Sequence, residues 1–147
     1  MSLLIRPPLP EDLADWQRLY AGYAAFYGVA QTEQMRARVW AWVQDPAHPV
    51  KAFVAQGPAG LVGLAHFRPF SRPLSASTGG FLDDLFVDPE ARGFGVARAL
   101  IGAVEVEGRA QGWSVIRWLT AQDNDRARGL YDQLAQATKW VTYDLKL

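Results

Sequence analysis

Cysteine is absent from this sequence of 147 residues. That excludes disulfides, thiolate-bound zinc and a cysteine nucleophile. Histidine is scarce. His48 and His66 stand far apart, and neither sits in a metal-ligand spacing. His48 lies in the turn-like DPAHP and reads as solvated; His66 lies in a strand-like run and reads as structural. No excess of either charge exists, since Lys plus Arg and Asp plus Glu balance at 15 each. Nucleic-acid binders normally carry a basic excess on one face, so no nucleic-acid partner is expected. Any anionic ligand must be held by a local site. No apolar run approaches a membrane-spanning length. The opening MSLLIRPPLP has no long apolar stretch of the secretory kind. A cytoplasmic protein without a membrane partner is expected. Repeats, linkers and low-complexity tracts are missing too, which leaves a single domain over 1–147.

What is present is hydrophobic. Half of the residues are apolar, enough for a real core without staples. LLIRPP reads as a strand stopped by prolines. PEDLADWQRLYAGYAAFYG opens with acids after a proline and repeats Leu13, Trp16, Leu19, Tyr20 and Tyr23 at helical spacing. A second helix starts at Thr32 as N-cap, with Met35, Val39, Trp42 and Val43 as its stripe. VKAFVAQGPAGLVGLAHFRPF reads as a hairpin and SRPLSASTGG as a polar loop. FLDDLFV is a strand, and VARALIGAVEVEGRAQG a helix with Val96, Leu100, Ala103 and Val104 on one face. WSVIRWLT, DRARGLYDQLAQ and KWVTYDLKL complete a strand, a helix and a final strand. The order β-α-α-β-β-β-α-β-α-β predicts an α/β fold with a mixed sheet.

The stretch FVDPEARGFGVARALI carries the chemistry. A glycine-rich turn between a strand and a helix frees backbone N–H groups, and the helix dipole favours an anion there. A Walker loop would need a lysine and a hydroxyl that this stretch lacks. A Rossmann turn would need a third glycine where Arg98 stands. A ligand-free helix entry remains possible on the glycines alone.

Arg92-Gly93-Phe94-Gly95-Val96-Ala97 fits the pattern [QR]-x-x-G-x-[GA]. The segment LDDLFVDPEARGFGVARALI resembles the acetyl-CoA-binding motif of the GNAT family of N-acetyltransferases. The later WLTAQDNDRARGLYD, with Asn124 and the pair Leu130-Tyr131, is similar to a second stretch of that family. The resemblance implies a GNAT-type acyltransferase fold and acetyl-CoA as cosubstrate, with no metal. It implies a diphosphate held by Arg92 to Arg98, that is Arg92, Gly93, Phe94, Gly95, Val96, Ala97 and Arg98. It implies a pantetheine arm along Leu85, Phe86 and Val87, with Asn124 and Tyr131 beside it. The family often has a Gly-Phe before its last strands; this chain has AQATKWVTYDLKL, where Trp140 stands for the Phe.

Acetyl transfer to a primary amine by direct attack needs three things. They are a base for the ammonium, donors for the thioester oxygen and a donor for the departing thiolate. The resemblance puts Tyr131 at the thiolate, as catalytic acid or hydrogen-bond donor. Asp83 is the leading base or an anchor for a cationic substrate, and Asp84 the alternative. Strand alternation places Asp83 on the face of Leu85 and Val87, and Asp84 on the face of Phe86. The aromatics Trp16, Tyr20, Tyr23, Phe26 and Tyr27 crowd the first helix, with Tyr23 and Tyr27 as candidate acceptor contacts. The expected acceptor is a small-molecule amine or a lysine-containing peptide, with polyamine, amino acid and protein lysine all open. A non-catalytic acyl-CoA-binding sensor on the same fold is the rival, and a nucleotide-binding module a weaker one. The apolar, β-rich tail predicts a homodimer, since such an edge is usually paired.

Overall fold

The computed structural model describes residues 1–147. Strand β1 (Leu4–Arg6) is followed by helices α1 (Leu13–Phe26) and α2 (Glu33–Gln44). Next come β2 (Lys51–Gly57), β3 (Gly60–Arg72), β4 (Ser77–Val87), α3 (Val96–Gln111), β5 (Ile116–Trp118) and α4 (Asp125–Leu134). One sheet contains all five strands in the order β1-β2-β3-β4-β5. The pairs from β1 to β4 are antiparallel, and β4 with β5 is parallel. This is the mixed α/β architecture expected. No helix is long and apolar enough to cross a membrane.

Each face of the sheet has its own core. On one face, α3 buries Val96, Leu100 and Val104 against Ala55, Ala65, Phe67 and Leu82, the stripe that helical spacing predicts. On the other, α1 buries Trp16, Leu19 and Tyr20 against Val54, Leu61 and Leu64. Helix α2 buries nothing fully. Val39 and the adjacent Trp40 touch that second core, while Met35 of the expected stripe is exposed. Its start is as expected: the Thr32 hydroxyl accepts from the Met35 N–H at 3.1 Å.

Two expectations need correction. SRPLSASTGG is mostly strand, since β3 runs to Arg72 and β4 begins at Ser77. The glycines there are not turn residues. A Cβ on Gly80 would collide with the Trp113 ring, and one on Gly79 would meet Phe70 at 2.8 Å. They leave room for aromatic rings. The second correction is the tail. KWVTYDLKL forms no strand within the chain, and the last backbone hydrogen bond runs from the Ala135 N–H to Tyr131. Trp140 is 85% exposed and Tyr143 90%. A strand needs a partner edge, and this segment lies against none.

Candidate active site

The glycine turn is built to leave donors free. Gly93 and Gly95 both take positive φ, 84° and 78°, which an L side chain resists. The first backbone bond of α3 runs from the Ala99 N–H to the Gly95 carbonyl. The N–H groups from Gly93 to Arg98 therefore donate to no backbone carbonyl. An added Cβ at Gly93 or Gly95 would meet nothing within 4 Å, so the turn faces open space. Oriented donors at a helix start, with room in front, suit a phosphate.

Beside the turn the sheet comes apart. Strand β5 pairs with β4 only from Gly80 to Leu82. Past that point the β5-facing edge of β4 is unpaired, and Leu85, Phe86 and Val87 wall a cavity of about 600 Å³. The turn residues Arg92, Gly93, Gly95, Val96, Ala97 and Arg98 line it, as do Asn124 and Tyr131. Phe94 does not; its ring projects outward at 54% exposure. Phe26 of the α1 aromatics and Leu130 of the Leu130-Tyr131 pair line the same space, and so do Ala91, Arg126 and Ala127, which no motif marks. Helical spacing carried that signal. Ala127 lies three residues before Leu130 and four before Tyr131, the spacings that share a helix face, and Phe26 lies three after Tyr23 on α1.

Asn124 caps α4: its Oδ1 accepts from the Ala127 N–H at 3.4 Å, and its Nδ2 donates to Thr120 Oγ1 at 3.4 Å. It thereby fixes the helix that carries Tyr131. The Tyr131 ring packs edge-on against Trp118, with centroids 5.4 Å apart. Its hydroxyl has no protein partner and is not sealed from the cavity. Burial, then the neighbouring Tyr27, raises its pKa above the ordinary tyrosine value.

The carboxylates fall beyond the cavity wall, next to Tyr23. The β3–β4 register passes from His66–Asp84 to Phe67–Leu82, so Asp83 is an extra residue on β4. Leu82 and Leu85 consequently both pack on the α3 side, three residues apart, which strict alternation forbids. The expected placement of Asp83 on the face of Leu85 and Val87 is thereby corrected. Its carboxylate accepts from Arg68 Nε at 3.0 Å. The pairing of Asp84 with the face of Phe86 holds: Asp84 meets Tyr20 of α1, and Phe86 packs in the α1-side core.

The two carboxyls titrate apart. Burial raises the pKa of Asp83, and Arg68 opposes it without cancelling it. Burial would raise Asp84 as well, but His66 and then the Tyr20 hydroxyl, both hydrogen-bonded to it, win and hold it below the ordinary aspartate value. Tyr20 and Tyr23 are both driven up, by burial first and then by the charge of Asp84. Tyr23 and Tyr27 line the cavity, and the Tyr23 hydroxyl donates to the Asp83 carbonyl at 3.4 Å.

The acetyltransferase (GNAT) family matches residues 16–135. The chain belongs to this family. It is an N-acetyltransferase. It is similar to the D-amino-acid N-acetyltransferase HPA3 of Saccharomyces cerevisiae, 25% identical over 143 residues, which is 96% of this chain and 89% of that protein. Among solved structures it resembles the ribosomal-protein-alanine N-acetyltransferase from Brucella melitensis biovar Abortus 2308. The TM-score is 0.81 at 24% identity, covering 100% of both chains. The aminoglycoside N-acetyltransferase AAC(6')-Iy, solved in complex with CoA, gives a TM-score of 0.86 at 21% identity, over 99% of this chain and 95% of that one. At these identities the two structures establish a shared fold. The acetyltransferase is thus one whose glycine turn, splayed strands and α4 tyrosine meet around one cavity.

Proposed function

We propose that this acetyltransferase is a cytoplasmic enzyme of one domain that moves the acetyl group of acetyl-CoA directly to a primary amine. One observation supports it most: the Gly93–Arg98 turn, whose N–H groups pair with no backbone carbonyl, and Tyr131, whose hydroxyl has no protein partner, line the same cavity, Phe94 alone excepted. The diphosphate would rest on the turn, with Arg92 and Arg98 adding charge. The pantetheine arm would lie along the unpaired edge of Leu85 to Val87 and bring the thioester toward Tyr131 and Tyr23.

Asp83 takes a proton from the acceptor's ammonium, leaving a neutral amine. The amine nitrogen attacks the thioester carbonyl, a C–N bond forms and the C–S bond breaks. The leaving thiolate accepts a hydrogen bond from Tyr131 and receives the second proton from the nitrogen. A phenol raised above about 10 is a weaker acid than a thiol of about 8.5, so Tyr131 acts as donor and keeps its own proton. The raised pKa of Asp83 moves it the right way for a base.

The similar proteins are described as acting on D-amino acids, a ribosomal protein and aminoglycosides, so the acceptor panel must span small amines and lysine peptides. We further propose a homodimer. The tail's exposed Val141, Tyr143, Leu145 and Leu147 alternate with polar residues, as strands do, and the outer edge of β5 is unpaired. A thermal-shift comparison tests the cofactor: acetyl-CoA and CoA should raise the melting temperature well above ADP at equal concentration. Equal shifts from ADP and acetyl-CoA would favour a nucleotide-binding module.

A further inference from the structure

His66 lies in the middle of β3 and is 1% exposed, in contact with the apolar core under α1. A buried histidine there costs desolvation unless its nitrogens are satisfied. Both are. Trp16 Nε1–H stands 3.0 Å from His66 Nε2. An indole nitrogen only donates, so Nε2 is the bare nitrogen and the ring proton sits on Nδ1. That proton points at Asp84 Oδ2, 2.8 Å away. The Tyr20 hydroxyl donates to the same oxygen at 2.9 Å.

Both bonds fall on Oδ2. Oδ1 takes neither, and it is not fully sealed from solvent, since no fully buried side-chain oxygen lacks a partner. The Asp84 side chain is 18% exposed. Beside it Tyr20 and Tyr23 stack with centroids 6.0 Å apart, and Tyr23 is the cavity wall. The carboxylate is thus clamped on one oxygen, free on the other and flanked by aromatic rings.

We propose that Asp84 Oδ1 is the seat of the acceptor's ammonium group, and that Trp16, His66 and Tyr20 are positioning residues that aim it. This rests on the acetyl-transfer reading of the site. An alkylammonium is cationic at neutral pH, with a pKa near 10.4. A fixed carboxylate beside aromatic faces is a good receptor for such a cation. The adjacent Asp83 is then placed to take the proton. A histidine whose tautomer is set by a tryptophan gives Asp84 a direction that an apolar neighbour would not.

The test is steady-state kinetics with varied amine on wild type, His66→Leu, His66→Gln and Tyr20→Phe. It uses whichever of spermidine, alanine, kanamycin or a lysine peptide wild type acetylates fastest, with acetyl-CoA affinity measured on each variant. Losing a hydrogen bond to a charged group should raise the amine KM in His66→Leu about tenfold or more, with acetyl-CoA affinity unchanged. His66→Gln should recover most of it, since its amide can accept from Trp16 and donate to Asp84. Tyr20→Phe should shift the amine KM the same way. A wild-type amine KM in His66→Leu, or equal loss in the Gln and Leu variants, overturns the proposal. If His66→Leu does not melt cooperatively, a wild-type KM in Tyr20→Phe overturns it. Wild type that binds acetyl-CoA but acetylates none of these amines overturns the acetyl-transfer reading beneath it.

Discussion

Asp83 and Asp84 are neighbours on β4 with different partners: Arg68 Nε lies 3.0 Å from Asp83 Oδ2, and His66 Nδ1 lies 2.8 Å from Asp84 Oδ2. On a regular strand two adjacent carboxylates would point to opposite faces; the bulge at Asp83 lets both reach the face of β3 that carries His66 and Arg68. Their environments then push the two pKa values apart, Asp83 up and Asp84 down. A carboxylate that stays ionised suits holding a cation. One whose pKa is raised suits taking a proton.

Asp83→Asn should lower kcat, and the deficit should shrink as pH rises. A base works deprotonated, so wild-type activity climbs through the raised pKa of Asp83. At high pH more amine arrives already neutral, and the base matters less. Rate-against-pH profiles of both proteins check this. A deficit confined to KM at every pH would make Asp83 an anchor instead.

Tyr131→Phe removes one hydroxyl whose only neighbour space is the cavity, so the fold should stand. Acetyl-CoA affinity should change little. The turnover rate should fall by about 10²-fold or more, the range for a lost transition-state donor. Single-turnover rates with acetyl-CoA in excess read this directly. An unchanged rate would leave proton delivery to water.

Gly95→Asp and Arg92→Glu should each abolish most of the acetyl-CoA thermal shift. The first puts a charge in front of the free N–H groups and imposes about 1 kcal/mol or more of left-handed strain. The second reverses a charge on the cavity wall. Isothermal titration with CoA measures both. Wild-type affinity in the pair would move the diphosphate elsewhere.

Light scattering at micromolar concentration should give twice the chain mass, and Val141→Lys with Tyr143→Lys should reduce it to one chain. Charges on the apolar face of a pairing strand oppose association. A monomeric wild type would mean that the tail stays unpaired in solution.

Much of this was legible in the sequence. The α3 stripe, the Thr32 cap and the turn at Gly93–Gly95 are local, and each was written in spacing or residue type. What escaped depends on neighbours. Gly79 and Gly80 look like a turn until the rings of Phe70 and Trp113 are packed over them. The face of Asp83 follows from an insertion in the β3–β4 register, which only pairing reveals. His66 reads as structural from its strand, and it is buried, but its link from Trp16 to Asp84 spans residues 50 and 18 positions away. The tail has a strand's alternation and, in one chain, no strand to join.

Whether the chain transfers acetyl groups to amines is decided by thiol release from acetyl-CoA, followed with spermidine, amino acids, an aminoglycoside and a lysine peptide. Amine-dependent release should run well above background hydrolysis, with the acetylated amine as product and a large loss in Tyr131→Phe. Saturable acetyl-CoA binding with no release for any amine would contradict it and leave an acyl-CoA sensor on the same fold.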